Sequence, residues 1–166
     1  MAESLYAKKM LEWYDNFYCK SEQTNLQVKF LAKLFKKYKA RKILDVSCGT
    51  GRHAIALASQ NFHVTGIDKK KAMIDYAKNK AIKHGKKIRF IVQDMKNMNL
   101  KEKFDAAFTM YGSLAYMKSN EDAIKALKSI ASNLKQNGLL VIEDDNPWRY
   151  IMSGQLKRKT VEKIKN

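Results

Sequence analysis

The chain has 166 residues, 45% of them hydrophobic, which is enough for one domain with its own core and excludes a disordered chain. No apolar run approaches the ~18 residues of a membrane span. The N-terminus, MAESLYAKKMLEWYDNFYCK, carries charges throughout and lacks the apolar stretch of a signal peptide, so a cytoplasmic setting is expected. The net charge is +17, and Leu26 to Gln93 hold 17 Lys and Arg against only Asp45, Asp68 and Asp75.

In chain order, Tyr6, Met10, Trp13 and Phe17 recur at spacings of four, three and four, one face of a helix. Leu26, Phe30, Leu34 and Tyr38 mark the face of a second helix. KILDV, a short apolar run bounded by turn residues, predicts a buried strand. It leads through the turn DVSCGTG (Asp45 to Gly51) into a helix, HAIALASQN, ending near Asn61. HVTGI predicts a second strand ending at Asp68. KAMIDYAKNKAIKHG predicts a helix with Gly85 as its stop. IRFIV and FDAAFTM predict the third and fourth strands. Ser119 and Asp122 form a capping pair before AIKALKSIASNL, whose Ile124, Leu127, Ala131 and Leu134 share a face. GLLVIE predicts a fifth strand. Beyond Glu143 the pattern weakens, and the tail has no assigned structure.

Strands alternating with helices imply parallel pairing through right-handed crossovers, hence an α/β, doubly wound, mostly parallel sheet. Ligands of such sheets bind beyond the carboxyl ends of the strands, where strand order reverses. The glycine turn after the first strand belongs there. Two ligands compete for it. A dinucleotide fits the spacing: GTGRHA matches G-x-G-x-x-G/A, and Asp68 comes about 20 residues on. Asp45, immediately ahead of the turn, would however face a pyrophosphate with like charge.

S-adenosylmethionine, with its sulfonium and ammonium, suits an acid at that strand end. Asp68 offers two carboxylate oxygens to two ribose hydroxyls. Asp94, after the third strand, suits the adenine amino group, and the Met95 N–H suits a ring nitrogen. Met73 and Met95 offer soft apolar walls for adenine. Acids at the ends of three consecutive strands are a narrower signal than the glycines.

KILDVSCGTGRHAIALA, FHVTGIDKKKAMIDYAK, IRFIVQDMKNM, FDAAFTMYGSLAYM and NLKQNGLLVIE resemble the successive motifs of class I S-adenosylmethionine-dependent methyltransferases. The likeness runs in order from about Lys42 to Glu143. Within that superfamily it is most similar to the small-molecule branch with a Y-D-x-x-Y start, here WYDNFY, which includes amino-sugar N-methyltransferases. The resemblance implies a Rossmann-like core with strand order 3-2-1-4-5. It implies that Asp45, Ser47, Gly49 and Gly51 line the methionine end of the cofactor, Asp68 the ribose, and Asp94 with Met95 the adenine. Met110 would lie by the cofactor's amino group or sulfonium, and Tyr14 would close over the site. Lys69 directly follows the ribose acid and is counted with the site, although Lys69 to Lys71 also read as a solvated helix start.

The expected organisation is a single domain: N-terminal helices over 1–40 closing on the cofactor site, a cofactor-binding core over 41–146, and a tail over 147–166. Ser47 replaces the family's first glycine, and QNG stands in place of P-G-G. Family members continue past the fifth strand to two further strands. Here the sheet is expected to be truncated after the fifth strand, with LLVI at an edge that a partner chain, a second copy or the tail must cover.

Other residues carry less. His53, in the helix after the turn, reads as a packing residue rather than a base. His63 and His84 receive no role, Cys48 fits the turn sterically, and no metal site is expected from Cys19 and Cys48. Tyr14 and Tyr18, with Trp13 and Phe17, read equally as a packing face. Tyr111 and Tyr116 lie in the segment expected near the acceptor.

The leading expectation is methyl transfer to a small-molecule acceptor, an amine among the candidates. The alternatives are a shortened non-catalytic domain that binds cofactor, RNA or a partner, and an RNA methyltransferase. Nucleic acid is possible but not favoured: Lys far outnumbers Arg, and the base-clamping N/D-P-P-Y/F tetrad is absent.

Overall fold

The computed structural model describes residues 9–18, 21–143 and 161–163. Residues 9–13 are helical and pass into a π-turn, Tyr14–Tyr18. Four α-helices follow: α1 (Ser21–Lys37), α2 (Arg52–Ala58), α3 (Lys71–Lys83) and α4 (Asn120–Asn133). The strands are β1 (Lys42–Val46), β2 (His63–Asp68), β3 (Arg89–Val92), β4 (Phe104–Thr109), β5 (Leu134–Ile142) and β6 (Val161–Lys163). Short 3-10 turns occupy Met95–Asn97 and Ser113–Tyr116. Tyr6, part of the expected first helical face, lies outside the described residues.

The sheet runs β3-β2-β1-β4-β5-β6, with β1 to β5 parallel. This is the doubly wound 3-2-1-4-5 core, and strand order reverses between β1 and β4. One expectation is corrected. The apolar fifth strand is not an edge, because Leu139, Leu140 and Val141 pair antiparallel with Lys163, Glu162 and Val161. Of the three covers considered, the tail supplies one. It places a three-residue strand at the margin, and a very short edge strand offers little template for further pairing.

Both faces of the sheet are buried, as parallel sheets require. Side chains alternate across it, so adjacent residues of β1 enter different cores. Ile43 joins Val28, Leu31, Phe35, Leu57, Ile74 and Phe108 under α1, α2 and α3. Leu44 joins Ile67, Met98, Leu100, Phe104 and Ile130 against α4.

Two helix faces differ from expectation. In α1, Leu26 is 67% exposed while Thr24, Gln27, Val28, Leu31 and Phe35 are buried, and Tyr38, just past the helix, is exposed. The apolar i, i+4 series was one flank of the true stripe, which contains two polar residues. In α4, Ile124 is exposed and the buried line is Ala126, Ile130 and Asn133, with Leu127 at its margin. Small and polar residues sit innermost there, so hydrophobicity alone points a little off axis. The expected capping pair does form: Ser119 Oγ accepts from the Asp122 N–H at 3.2 Å.

Candidate cofactor site

After β1 the chain reverses through left-handed backbone at Ser47 (φ 62°), Gly49 (φ 52°) and Gly51 (φ 76°). The Cys48 N–H donates to the Ile67 carbonyl at 2.8 Å, which staples the turn to β2. Gly51 opens α2, and a Cβ there would stand 2.9 Å from Phe90 Cζ and 3.0 Å from Ala77 Cβ. It is glycine for packing as well as for backbone. A Cβ on Gly49 would meet nothing within 4 Å, so that part of the turn faces open space.

Asp45, next to last in β1, lies on the sheet face of Ile43 and is 3% exposed. The Ala54 backbone N–H is a donor to its carboxylate, and Oδ2 has no partner among the described residues. Burial pushes its pKa well above the ordinary carboxylate value, and the nearby Asp68 adds to the effect. A buried, half-satisfied acid is costly unless something compensates its charge.

Asp68 ends β2. Its Oδ2 accepts from the Gly49 N–H at 3.1 Å and its Oδ1 from the Lys70 N–H at 2.9 Å. It therefore ties the turn to the start of α3, and each oxygen keeps a second lone pair for a ligand hydroxyl. Asp94 caps the following 3-10 turn through Oδ1, which accepts from the Lys96 N–H at 2.9 Å.

The remaining expected residues divide. Tyr14 and Ser47 are half-buried at the rim, and Met73 is half-buried on α3. Met95 is only 7% exposed and packs into the core beside Leu44 and Ile67. Its thioether is thus not an adenine wall; only its backbone is available. Met110, 6% exposed, packs with Phe108 and Val141, and its carbonyl accepts from Ser113 Oγ at 3.0 Å. Its side chain is committed to the core. Lys69 is exposed, and it is the N–H of Lys70 that meets Asp68.

Several residues were missed. Asp15 lies in the Y-D-x-x-Y segment, where only the tyrosine drew attention. Its Oδ1 accepts from Thr50 Oγ1 at 2.6 Å and lies 3.5 Å from Arg52 Nε, and its Oδ2 meets Lys80 Nζ. The Arg52 guanidinium lies 5.7 Å from the Tyr14 ring centre and 5.3 Å from that of Tyr111.

A second set joins α1 and α2 to the ends of β4 and β5. His53 Nε2 is 3.0 Å from Gln27 Oε1, and Gln27 Nε2 donates to Glu143 Oε2. The Gln27 oxygen must then accept, so the His53 proton sits on Nε2. Burial, assisted by Arg52, lowers the His53 pKa to about 3. A neutral imidazole committed to an amide is a packing residue, as expected. Tyr111 also joins in: its N–H donates to Glu143 Oε2 at 3.5 Å, and its hydroxyl is 3.2 Å from Thr24 Oγ1. Glu143 follows Val141 on the face that carries Asp45, with β4 between. Two strand spacings, about 10 Å, separate their strands.

A family model described as a methyltransferase domain matches residues 43–138, more than half of the chain. The chain belongs to this methyltransferase domain family. It is 38% identical over 103 residues to a putative methyltransferase, YqeM, of Bacillus subtilis (strain 168), covering 61% of this chain and 41% of that protein. It is 27% identical over 143 residues to a glycine/sarcosine N-methyltransferase of Aphanothece halophytica, covering 85% and 54%. Among solved structures, S-adenosylmethionine-bound CalS10, an amino pentose methyltransferase of Micromonospora echinaspora, superposes with a TM-score of 0.66. The identity is 25%, over 71% of this chain and 49% of that one. The chain spans about half the length of these relatives. S-adenosylmethionine is the cofactor of the family. The donor set here fits it: the partnerless Asp45 oxygen calls for positive charge, and the open side of Gly49 leaves room for it.

Proposed function

We propose that this methyltransferase domain binds S-adenosylmethionine at the carboxyl ends of β1, β2 and β3 and serves methyl transfer to a small-molecule amine. The partnerless oxygen of buried Asp45 carries this reading. Among the described residues one N–H reaches its carboxylate, and a cationic nucleoside supplies what is missing. A phosphate ligand would add to the cost.

The bound cofactor supplies a methyl group already activated by its sulfonium, so the chain's task is to position two reactants and exclude water. Asp45 balances positive charge at the amino-acid end. Asp68 keeps the turn in place and accepts from ribose hydroxyls. Asp94 Oδ2 accepts from the adenine amino group, while Oδ1 holds its own turn. Met73 covers the base. Tyr14 and Tyr111, on either side of Arg52, cover the methyl end.

An amine acceptor is favoured by Glu143 and by the relatives named above. Gln27 and the Tyr111 N–H hold one oxygen of Glu143 on the face occupied by Asp45. A carboxylate there attracts a protonated amine and takes up the proton that the nitrogen must lose before it can react.

Calorimetric titration with S-adenosylhomocysteine, repeated on Asp68→Ala, tests the cofactor assignment. The wild type binds, and the variant binds at least about tenfold more weakly, as loss of a charged hydrogen-bonding partner requires. A wild type that shows no heat at millimolar ligand overturns the reading. Binding without transfer to sarcosine or to an amino sugar nucleotide removes the amine acceptor and keeps the cofactor.

A further inference from the structure

The N-terminal segment is seated in an unusual way. Met10 is 49% exposed and Trp13 51%. What reaches inward is Asp15, whose side chain is 8% exposed. Its partners are not scattered. Thr50 and Arg52 flank Gly51, the residue that opens α2 and ends the cofactor turn. Lys80 comes from α3, whose first turn is tied to Asp68. A single carboxylate therefore grips both elements that frame the nucleoside site.

Arg52 extends the connection. Besides its contact with Asp15, its guanidinium lies against the rings of Tyr14 and Tyr111. Tyr111 stands at a left-handed position (φ 59°) just after β4, and its N–H points at Glu143. The N-terminal segment, the cofactor turn and the turn after β4 thus meet on one guanidinium. Such stacking contributes most where water is excluded.

We infer that Asp15 is a positioning residue that clasps segment 9–18 onto the cofactor turn, so that bound S-adenosylmethionine is retained by the clasp and not by the strand-end acids alone. This rests on the cofactor reading given above. Asp15 itself touches no ligand. It holds Tyr14 over the site and fixes Arg52 against both tyrosine rings. The cofactor turn cannot shift without disturbing the segment, nor the segment without disturbing the turn. Ligand escape then requires opening of a buried three-partner contact, and the effect falls on dissociation.

The test uses S-adenosylhomocysteine as probe on the full chain, with association and dissociation rates and amide exchange over residues 9–18. Asp15→Ala is expected to dissociate the probe at least about tenfold faster with a nearly unchanged association rate, the usual partition for a lost contact. Ligand-induced protection of residues 9–18 seen in the wild type should vanish. Asp15→Asn keeps an acceptor for Thr50 and loses the ion pairs, so it should fall between. Thr50→Val, nearly isosteric, provides the same comparison if Asp15→Ala does not fold. Wild-type dissociation and protection in Asp15→Asn and Thr50→Val would overturn the inference while leaving the cofactor reading intact. A wild type that does not bind the probe overturns both.

Discussion

Asp45 and Asp68 stand near the carboxyl ends of neighbouring parallel strands, and the charge on Asp68 helps to raise the Asp45 pKa. Burial is the larger cause. Because the folded protein binds this proton more tightly than the unfolded chain does, Asp45 makes the ligand-free protein lose stability as pH rises from about 4, the ordinary carboxylate value, through its raised folded pKa. Asp45→Asn should flatten that slope and raise the melting temperature at pH 8 by about 2–6 °C. The same variant should bind S-adenosylhomocysteine more weakly, since the ligand's ammonium loses its counter-charge. Melting curves from pH 4 to 9 check the first claim and calorimetry the second. A variant both less stable and unchanged in binding would make Asp45 purely structural.

His53 works in the opposite sense. Its pKa of about 3 in the folded protein lies below the ordinary imidazole value, so the unfolded chain takes up the proton first. Its stabilising contribution is fully present above about pH 6.5 and is lost as pH falls toward 3; the shift corresponds to several kcal/mol. His53→Gln should retain a donor for Gln27 and reduce the acid sensitivity below pH 6. Urea unfolding at pH 7 and pH 4.5 separates the two proteins. An equal loss of stability in both would place the acid sensitivity elsewhere.

The glycines of the turn differ in kind. Gly51→Ala must place a Cβ against Phe90 and Ala77 in left-handed backbone, and should destabilise by about 2–4 kcal/mol. Gly49→Ala meets open space and should cost only the left-handed penalty, about 1–2 kcal/mol, while it obstructs the ligand. Ser47 already bears that strain at φ 62°, so Ser47→Gly should stabilise by up to about 1 kcal/mol. Thermal melts rank the three, and probe affinity should fall most, relative to stability, for Gly49→Ala.

The parts of the site set by local pattern were legible in the sequence. Asp45, Asp68 and Asp94 follow apolar runs, and an acid at the end of a buried strand is visible without coordinates. Gly49 and Gly51 are visible as a turn. The parts set by long-range pairing were not. Gln27 and Glu143 are 116 residues apart, and nothing in either neighbourhood announces that an amide and a carboxylate will meet. Gln27 also hides inside a helix whose apolar spacing points to the wrong flank. Asp15 was within reach, since it sits in the Y-D-x-x-Y segment, but its partner Lys80 lies on a lysine-rich helix where no single lysine stands out. The Met95 side chain, expected as an adenine wall, packs in the core instead, because methionine serves a core as readily as a ligand wall.

The sixth strand has a role that truncation can expose. Leu139, Leu140 and Val141 are buried, and β6 saturates the side of β5 that β4 does not use. A chain ending at Glu143 keeps every acid of the cofactor site and presents this apolar strand with unpaired N–H and C=O groups, a template for another copy. It should therefore still bind S-adenosylhomocysteine, yet elute as a dimer or larger species at concentrations where the full chain elutes smaller. Lysine at Leu140, in the full chain, would burden the core on that face and is the wrong control. Glu162→Pro is the right one, because proline disrupts the antiparallel pairing opposite Leu140 and leaves Leu140 itself unchanged. Association of both the shortened chain and Glu162→Pro, read by light scattering, is the expected result. If both scatter as the full chain does, the β5–β6 pairing does not protect the sheet.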